Sequence, residues 1–170
     1  MRNYILKLCL INLVFVAFGS LAGEKLTNRV DAEIDEKGKL NQSSHLLNSA
    51  FFFKSLSAVY YVYTYDFIDL KYGFDPLGNG NALQPDKYNF GVLKVGYNSA
   101  NNQKFRYRVS AERGNYYSGK RTGAGLYLNY QMLPFANLEL TYDVNKIDLD
   151  LLGKETFHLT RFTGQVFFYN

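Results

Sequence analysis

The chain has 170 residues with a net charge of +4, 29 aromatic residues (Tyr 15, Phe 14) and no tryptophan. That length suits one domain, and the slight, scattered positive balance excludes the basic face a nucleic-acid partner would need. One cysteine and two histidines give zinc-type chemistry no foothold, so neither cofactor nor metal is expected.

The N-terminus reads as a secretory leader. Arg2 and Lys7 supply a short basic region and Leu8 to Phe18 an apolar core broken by Asn12. Ser20 and Ala22 then place small residues where a signal peptidase reads, predicting cleavage after Ala22. The bland alternative, a retained anchor, falls short of the roughly 20 apolar residues a spanning helix needs. A lipoprotein reading of Cys9 fails because Lys7 and Leu8 precede it where small residues are wanted. Removing residues 1–22 leaves 148 residues, net charge +2 and no cysteine, so no disulfide holds the mature chain together.

Residues 23–170 are expected to form a single β region. Strands are predicted near Leu26 to Asp35, Leu40 to Phe53, Leu56 to Phe67, Tyr88 to Tyr97, Phe105 to Tyr116, Arg121 to Leu133, Asn137 to Ile147 and Phe157 to Tyr169. The alternation is cleanest from Phe105 to Val144. Phe105, Tyr107, Val109 and Ala111 share one face of a strand, while Arg106, Arg108, Ser110 and Glu112 share the other. Ala124, Leu126, Leu128, Tyr130 and Met132 repeat the beat, as do Leu138, Leu140, Tyr142 and Val144 against Glu139, Thr141, Asp143 and Asn145. This is the pattern of antiparallel hairpins with one wet face. In the last strand the apolar character changes sides, from Phe157 and Leu159 to Phe162, Gly164, Val166 and Phe168. Either a bulge near Thr160 would reconcile the halves or the register of this strand is not the one its pattern suggests.

The connections differ in kind. Lys54-Ser55, Asn98 to Gln103 and Leu133 to Ala136 are short, whereas Ile68 to Asp86 is long and carries Gly73, Pro76, Gly78, Gly80 and Pro85. Leu149 to Glu155 reads as a second polar excursion. Outer-membrane barrels have such an asymmetry. A soluble sandwich or lipocalin-like barrel would also alternate, with its apolar face inward. Three features favour the membrane. Aromatics gather toward strand ends, as in Phe51 to Phe53, Tyr60 to Tyr65, Tyr116-Tyr117 and Phe167 to Tyr169. The strands run near ten residues, the length of a tilted crossing. Finally, the polar face carries both signs of charge, with Arg106, Arg108, Glu112, Glu139 and Asp143 as an expected lumen cluster able to pair internally or with water. The fold class expected is thus all-β: an antiparallel transmembrane β-barrel, or barrel fragment, of about eight strands.

The order of motifs resembles a known family. Pro85-Asp86-Lys87-Tyr88-Asn89-Phe90, Asn115-Tyr116-Tyr117-Ser118-Gly119-Lys120-Arg121, Asn145-Lys146-Ile147-Asp148-Leu149 and His158-Leu159-Thr160-Arg161-Phe162 follow in sequence. Together they are similar to the C-terminal barrel domain of unknown function that follows a carbohydrate-binding family 9-like module in Bacteroidetes-type outer-membrane proteins. The similarity covers roughly Leu40 to Asn170, and its most specific piece is the aromatic-x-Gly-Lys-Arg turn. Family members are usually longer, with the sugar-binding module ahead of the barrel and further strands behind. The chain reads as a shortened or fragmentary relative, and carbohydrate binding does not carry over.

An open sheet cannot sit in hydrocarbon with unpaired edge groups. Either eight strands close, giving a lumen filled by side chains, or further strands or envelope proteins complete the barrel. The expected protein is non-catalytic, located in the outer membrane, in contact with its lipid, and structural, surface-interacting or transport-related in role. Two alternatives come from other classes: a lipid-active barrel enzyme such as a deacylase, and a soluble secreted ligand-binding barrel. For the enzyme, Glu155, His158 and Thr160 are the candidate constellation, against the plain reading of a rim histidine among ordinary strand neighbours. Asp143, Asp148, Asp150 and Glu155 lack calcium-loop spacing. Gly78-Asn79-Gly80-Asn81 lacks the strand-to-helix context of a phosphate cradle and reads as turn chemistry.

Overall fold

The computed structural model describes residues 21–167 apart from 37, 133 and 151, so residues 1–20 of the expected leader fall outside the described residues, whereas its last two, Leu21 and Ala22, open the first strand. Every element described is a strand: β1 (Leu21–Ile34), β2 (Leu40–Phe53), β3 (Ala58–Asp69), β4 (Lys87–Asn98), β5 (Phe105–Tyr116), β6 (Gly119–Met132), β7 (Ala136–Leu149) and β8 (Gly153–Val166). They form one eight-stranded antiparallel sheet in chain order, each strand paired with its neighbours in sequence. The protein is all-β, a meander of hairpins. Among the described residues β1 and β8 each have one neighbour only, so the sheet is not closed.

The register assigns every side chain to a face, because successive residues of a strand point to opposite sides. Val109 lies opposite Tyr97 on β4 and Leu126 on β6, and Leu126 lies opposite Tyr142 on β7. Val59, Tyr61, Tyr63 and Tyr65 on β3 continue the same side. Arg108, Tyr127 and Thr141 share the other side with Asn98 and Ala58. Two cavities open on this second side, so it is concave and the apolar side convex.

Glycines let the sheet bend toward its polar side. A Cβ on Gly114 would lie 2.1 Å from the carbonyl oxygen of Gly91 and 2.5 Å from Val92 Cα, and one on Gly119 would lie 2.0 Å from the Asp148 carbonyl. Those obstacles are backbone, which no rotamer change removes. Gly114 also stands where β4 and β5 part company, for their ladder ends at Val92↔Gly114 after seven pairs. Strand glycines of this kind mark tight bends and close approach of another backbone.

Three expectations about the elements need correction. β8 pairs with β7 in unbroken register from Ala136↔Val166 to Leu149↔Gly153, with no bulge at Thr160. The hairpin turn fixes that register, with Gly153 at φ 100°. Phe157 and Leu159 therefore face the concave side and Phe162 and Val166 the convex side, so this edge strand is apolar on both. Second, Leu149 to Glu155 is no polar excursion: β7 runs through Leu149, which is 1% exposed, and β8 starts at Gly153. The difference in connection length thus resides in a single loop, 70–86. Third, the strands are 12 to 14 residues long and not near ten, so each overshoots the 9–11 residues of a tilted crossing.

The long loop is ordered by one carboxylate. Asp75 Oδ1 accepts from Leu77 N at 3.0 Å and Gly78 N at 2.7 Å, and Oδ2 accepts from Gly80 N at 2.7 Å. Gly78 and Gly80 take φ of 67° and 85°, a region open to glycine at little cost. The loop is pinned at its base by Leu70 N donating to Asp86 O and midway by the Phe74–Leu83 bridge. Gly78-Asn79-Gly80-Asn81 is thus turn chemistry, as its composition suggests.

Candidate functional site

The concave face carries two polar ladders running across the strands. In the first, Arg106 donates from Nε and Nη2 to Asn129 Oδ1 at 3.0 and 2.6 Å. Asn129 Nδ2 donates in turn to Asn137 Oδ1 at 2.7 Å and Glu139 Oε1 at 3.1 Å. Asn129 is 0% exposed, so its amide is a buried hub whose bonds replace those it would make to water. In the second ladder Glu112 pairs with Arg121 at 2.6 Å and with Lys94 at 3.8 Å, and Arg121 donates to Asn145 Oδ1 at 3.2 Å. Gly123 and Gly125 leave the room these groups need. A Cβ on Gly123 would lie 2.6 Å from Asn145 Oδ1 and 2.9 Å from Glu112 Cγ, and one on Gly125 would lie 2.7 Å from Asp143 Oδ1.

All five charges expected in the lumen, Arg106, Arg108, Glu112, Glu139 and Asp143, lie on this face. They do not form one cluster. Glu139 joins Arg106 only through Asn129, and Asp143 sits against the gap at Gly125. Glu112 pairs with neither Arg106 nor Arg108 but with Lys94 and Arg121 on the adjacent strands, which sequence reading did not include. The strand-interior glycines Gly114, opposite Arg121, and Gly123, opposite Glu112, were the available signal.

At its loop end the concave face turns apolar and is covered. Ile147 and Leu149 are buried there with Leu77 of the long loop, packed by Tyr116, Tyr117 and Leu152. Phe90 stands against Tyr116 and Tyr117, with ring centroids 5.6 and 5.0 Å apart, and Tyr88 meets Tyr117 at 5.2 Å. Asn79 Nδ2 donates to the Leu152 carbonyl at 3.0 Å, tying the long loop to the β7–β8 hairpin. The loop therefore folds over the concave face as a cap. At the short-turn end the same face is open, with a cavity of about 690 Å³ between Phe52, Phe53, Leu56 and Ala58 on one side and Arg106, Arg108 and Tyr127 on the other.

The Asp75 carboxyl is held below the usual carboxylate range by the N–H of Gly80 first, then by those of Gly78, Leu77 and Asn79, against the opposing effect of its own partial desolvation. A depressed folded-state value means the order it confers is present at neutral pH and lost as pH falls through that value. Asp75→Ala should therefore reproduce at pH 7 what acid does to the wild type. The amide resonances of Gly78 and Gly80 should move toward random-coil shifts, with proteolysis in 75–81 rising several-fold.

The convex face is a band of exposed apolar groups. Tyr63, Tyr65, Leu93, Val95, Phe105, Tyr107, Val109, Tyr130 and Tyr142 all lie on it and are exposed. Charge returns on β5–β7 only toward the loop end, at Arg113, Lys120, Lys146 and Asp148. On β1 and β2 the band is interrupted by Glu24, Asn28 and His45, all exposed. His158 and Thr160 lie on this convex side, where His158 Nδ1 is 2.8 Å from the Tyr142 hydroxyl. Glu155 falls on the opposite side, so the three residues weighed as an enzyme constellation do not converge. Asp148 pairs with Lys154 at 2.7 Å, and among the described residues no group of three His, Cys, Asp or Glu is placed to hold a metal ion. No family model, curated protein or solved structure matches the chain in comparisons with all three.

Proposed function

We propose that this chain is a non-catalytic outer-membrane β-barrel protein, structural, surface-interacting or transport-related in role, reaching the membrane after signal-peptide cleavage. The observation that carries the reading is the band of exposed apolar side chains on the convex face, backed by a concave face of charge and amide ladders. In water such a surface exceeds what soluble monomers leave uncovered. Against lipid it is the outer wall of a barrel, with its interior polar. The charged residues that bound the band toward the loop end fall where headgroups would lie.

In this reading outer-membrane lipid is the main partner. The unpaired edges of β1 and β8 must be satisfied in hydrocarbon, by each other or by further strands. The relation to the barrel domain that follows a carbohydrate-binding family 9-like module is proposed on motif order alone. Cell fractionation tests the reading. The protein is expected in the outer-membrane fraction, released by detergent, and its refolded form should migrate differently on gels before and after heating. Recovery in the soluble periplasm without detergent would overturn it.

A further inference from the structure

Two arginines at the open end of the concave face are held but not neutralised. Arg106 spends Nε and Nη2 on Asn129, and Arg108 Nε donates to Asn98 Oδ1 at 2.8 Å. Both anchors are neutral amides. Among the described residues no carboxylate lies within ion-pair distance of either guanidinium, whereas Glu112 is engaged by Arg121 and Lys94 further along the face. Arg108 also stands 5.8 Å from the centre of the Tyr127 ring, a cation–π contact that steadies the head without lowering its charge.

Facing this pair is an apolar wall. Phe52, Phe53, Leu56 and Ala58 come from the β2–β3 turn and bound the 690 Å³ cavity opposite the arginines. A second hollow of about 420 Å³ shares Phe52, Ala58, Asn98 and Arg108 with the first and extends it along β2–β4 past Tyr60 and Val62 to Lys94. Ligand sites combine mostly apolar walls with a few fixed polar groups, and these volumes fall in their usual size range. Guanidinium N–H groups left over from the amide bonds point to an oxyanion, which arginine binds through paired donors.

We infer that the open end of the concave face is a binding site for an anionic amphiphile, a phosphate or carboxylate head on Arg106 and Arg108 with its apolar chain along Phe52, Leu56 and Ala58. The site rests on and deepens the barrel reading, whose polar interior it occupies. The head and the chain contribute separately, because neither wall alone selects such a molecule. A soluble phosphate would use the arginines only and a neutral alkyl group the aromatic wall only.

Calorimetric titration of hexyl phosphate into the full chain, refolded in nanodiscs of zwitterionic lipid, tests the site. One molecule is expected to bind per chain, at least tenfold more tightly than inorganic phosphate or hexanol. The double variant Arg106→Gln, Arg108→Gln should weaken binding at least tenfold, while Lys120→Gln at the loop end leaves it unchanged. Equal binding of hexyl phosphate by wild type and double variant overturns the site, as does equal binding of hexanol by the wild type, which needs no variant to fold. Failure of the barrel reading has a different appearance: the protein would stay soluble without lipid, and the same titration in buffer would then report on the pocket by itself.

Discussion

Val109→Arg is expected to block stable insertion into a bilayer while leaving the strand pattern untouched. Val109 lies in the middle of β5 on the convex face, 42% exposed, between Tyr97 and Leu126. In a water-soluble sheet such a change at an exposed position would alter stability by less than about 0.5 kcal/mol. At the midplane of a bilayer an outward arginine costs about 2–4 kcal/mol, which is a large share of the stability of a small barrel. Urea-dependent refolding into lipid vesicles reads the difference directly. A midpoint indistinguishable from the wild type would place this face in water.

Gly114→Val should be among the most damaging single changes in the sheet. The added Cβ meets the Gly91 carbonyl and the Val92 Cα, so one backbone must give way to the other. Overpacking relieved by side-chain movement costs about 1–3 kcal/mol, and a clash with backbone exceeds the upper end of that range. The β4–β5 ladder, shortest of the seven, would lose its last pair first. Gly73→Val is the matched control, since a Cβ there meets only ordinary contacts at 3.5 Å and beyond. Chemical denaturation of both should show a loss of about 3 kcal/mol or more for Gly114→Val and under 1 kcal/mol for Gly73→Val.

Much of the fold is legible in the chain because a two-residue period leaves one choice of face. The bounds of β2 and β5 follow from alternation and the flanking turn residues, and the polar face of β5–β7 is read without error. Other features depend on register, which no local pattern carries. Glu112 meets Lys94 and Arg121 from 18 and 9 positions away in sequence, and the arginine pocket needs Phe52 and Ala58 from a hairpin about fifty residues upstream. The bulge expected at Thr160 came from requiring one wet face of every strand. β8 escapes that requirement as an edge strand, its side chains lacking a neighbour on one flank, and Phe162 remains 69% exposed. The short β7–β8 hairpin is similarly hidden, since Asp148 and Asp150 suggest solvent while the buried Leu149 stands between them.

The covering of Ile147 and Leu149 by Leu77 has a bearing on what the proposed barrel would do in a membrane. A blind vestibule, shut by greasy residues at one mouth and wet at the other, equilibrates with a single compartment. Its filling would follow the solute level on that side alone and dissipate no gradient, so a closed barrel of the proposed kind could be held in an envelope in many copies without leakage. Retention, sensing or hand-over of a captive molecule would suit such a proposed barrel better than bulk permeation.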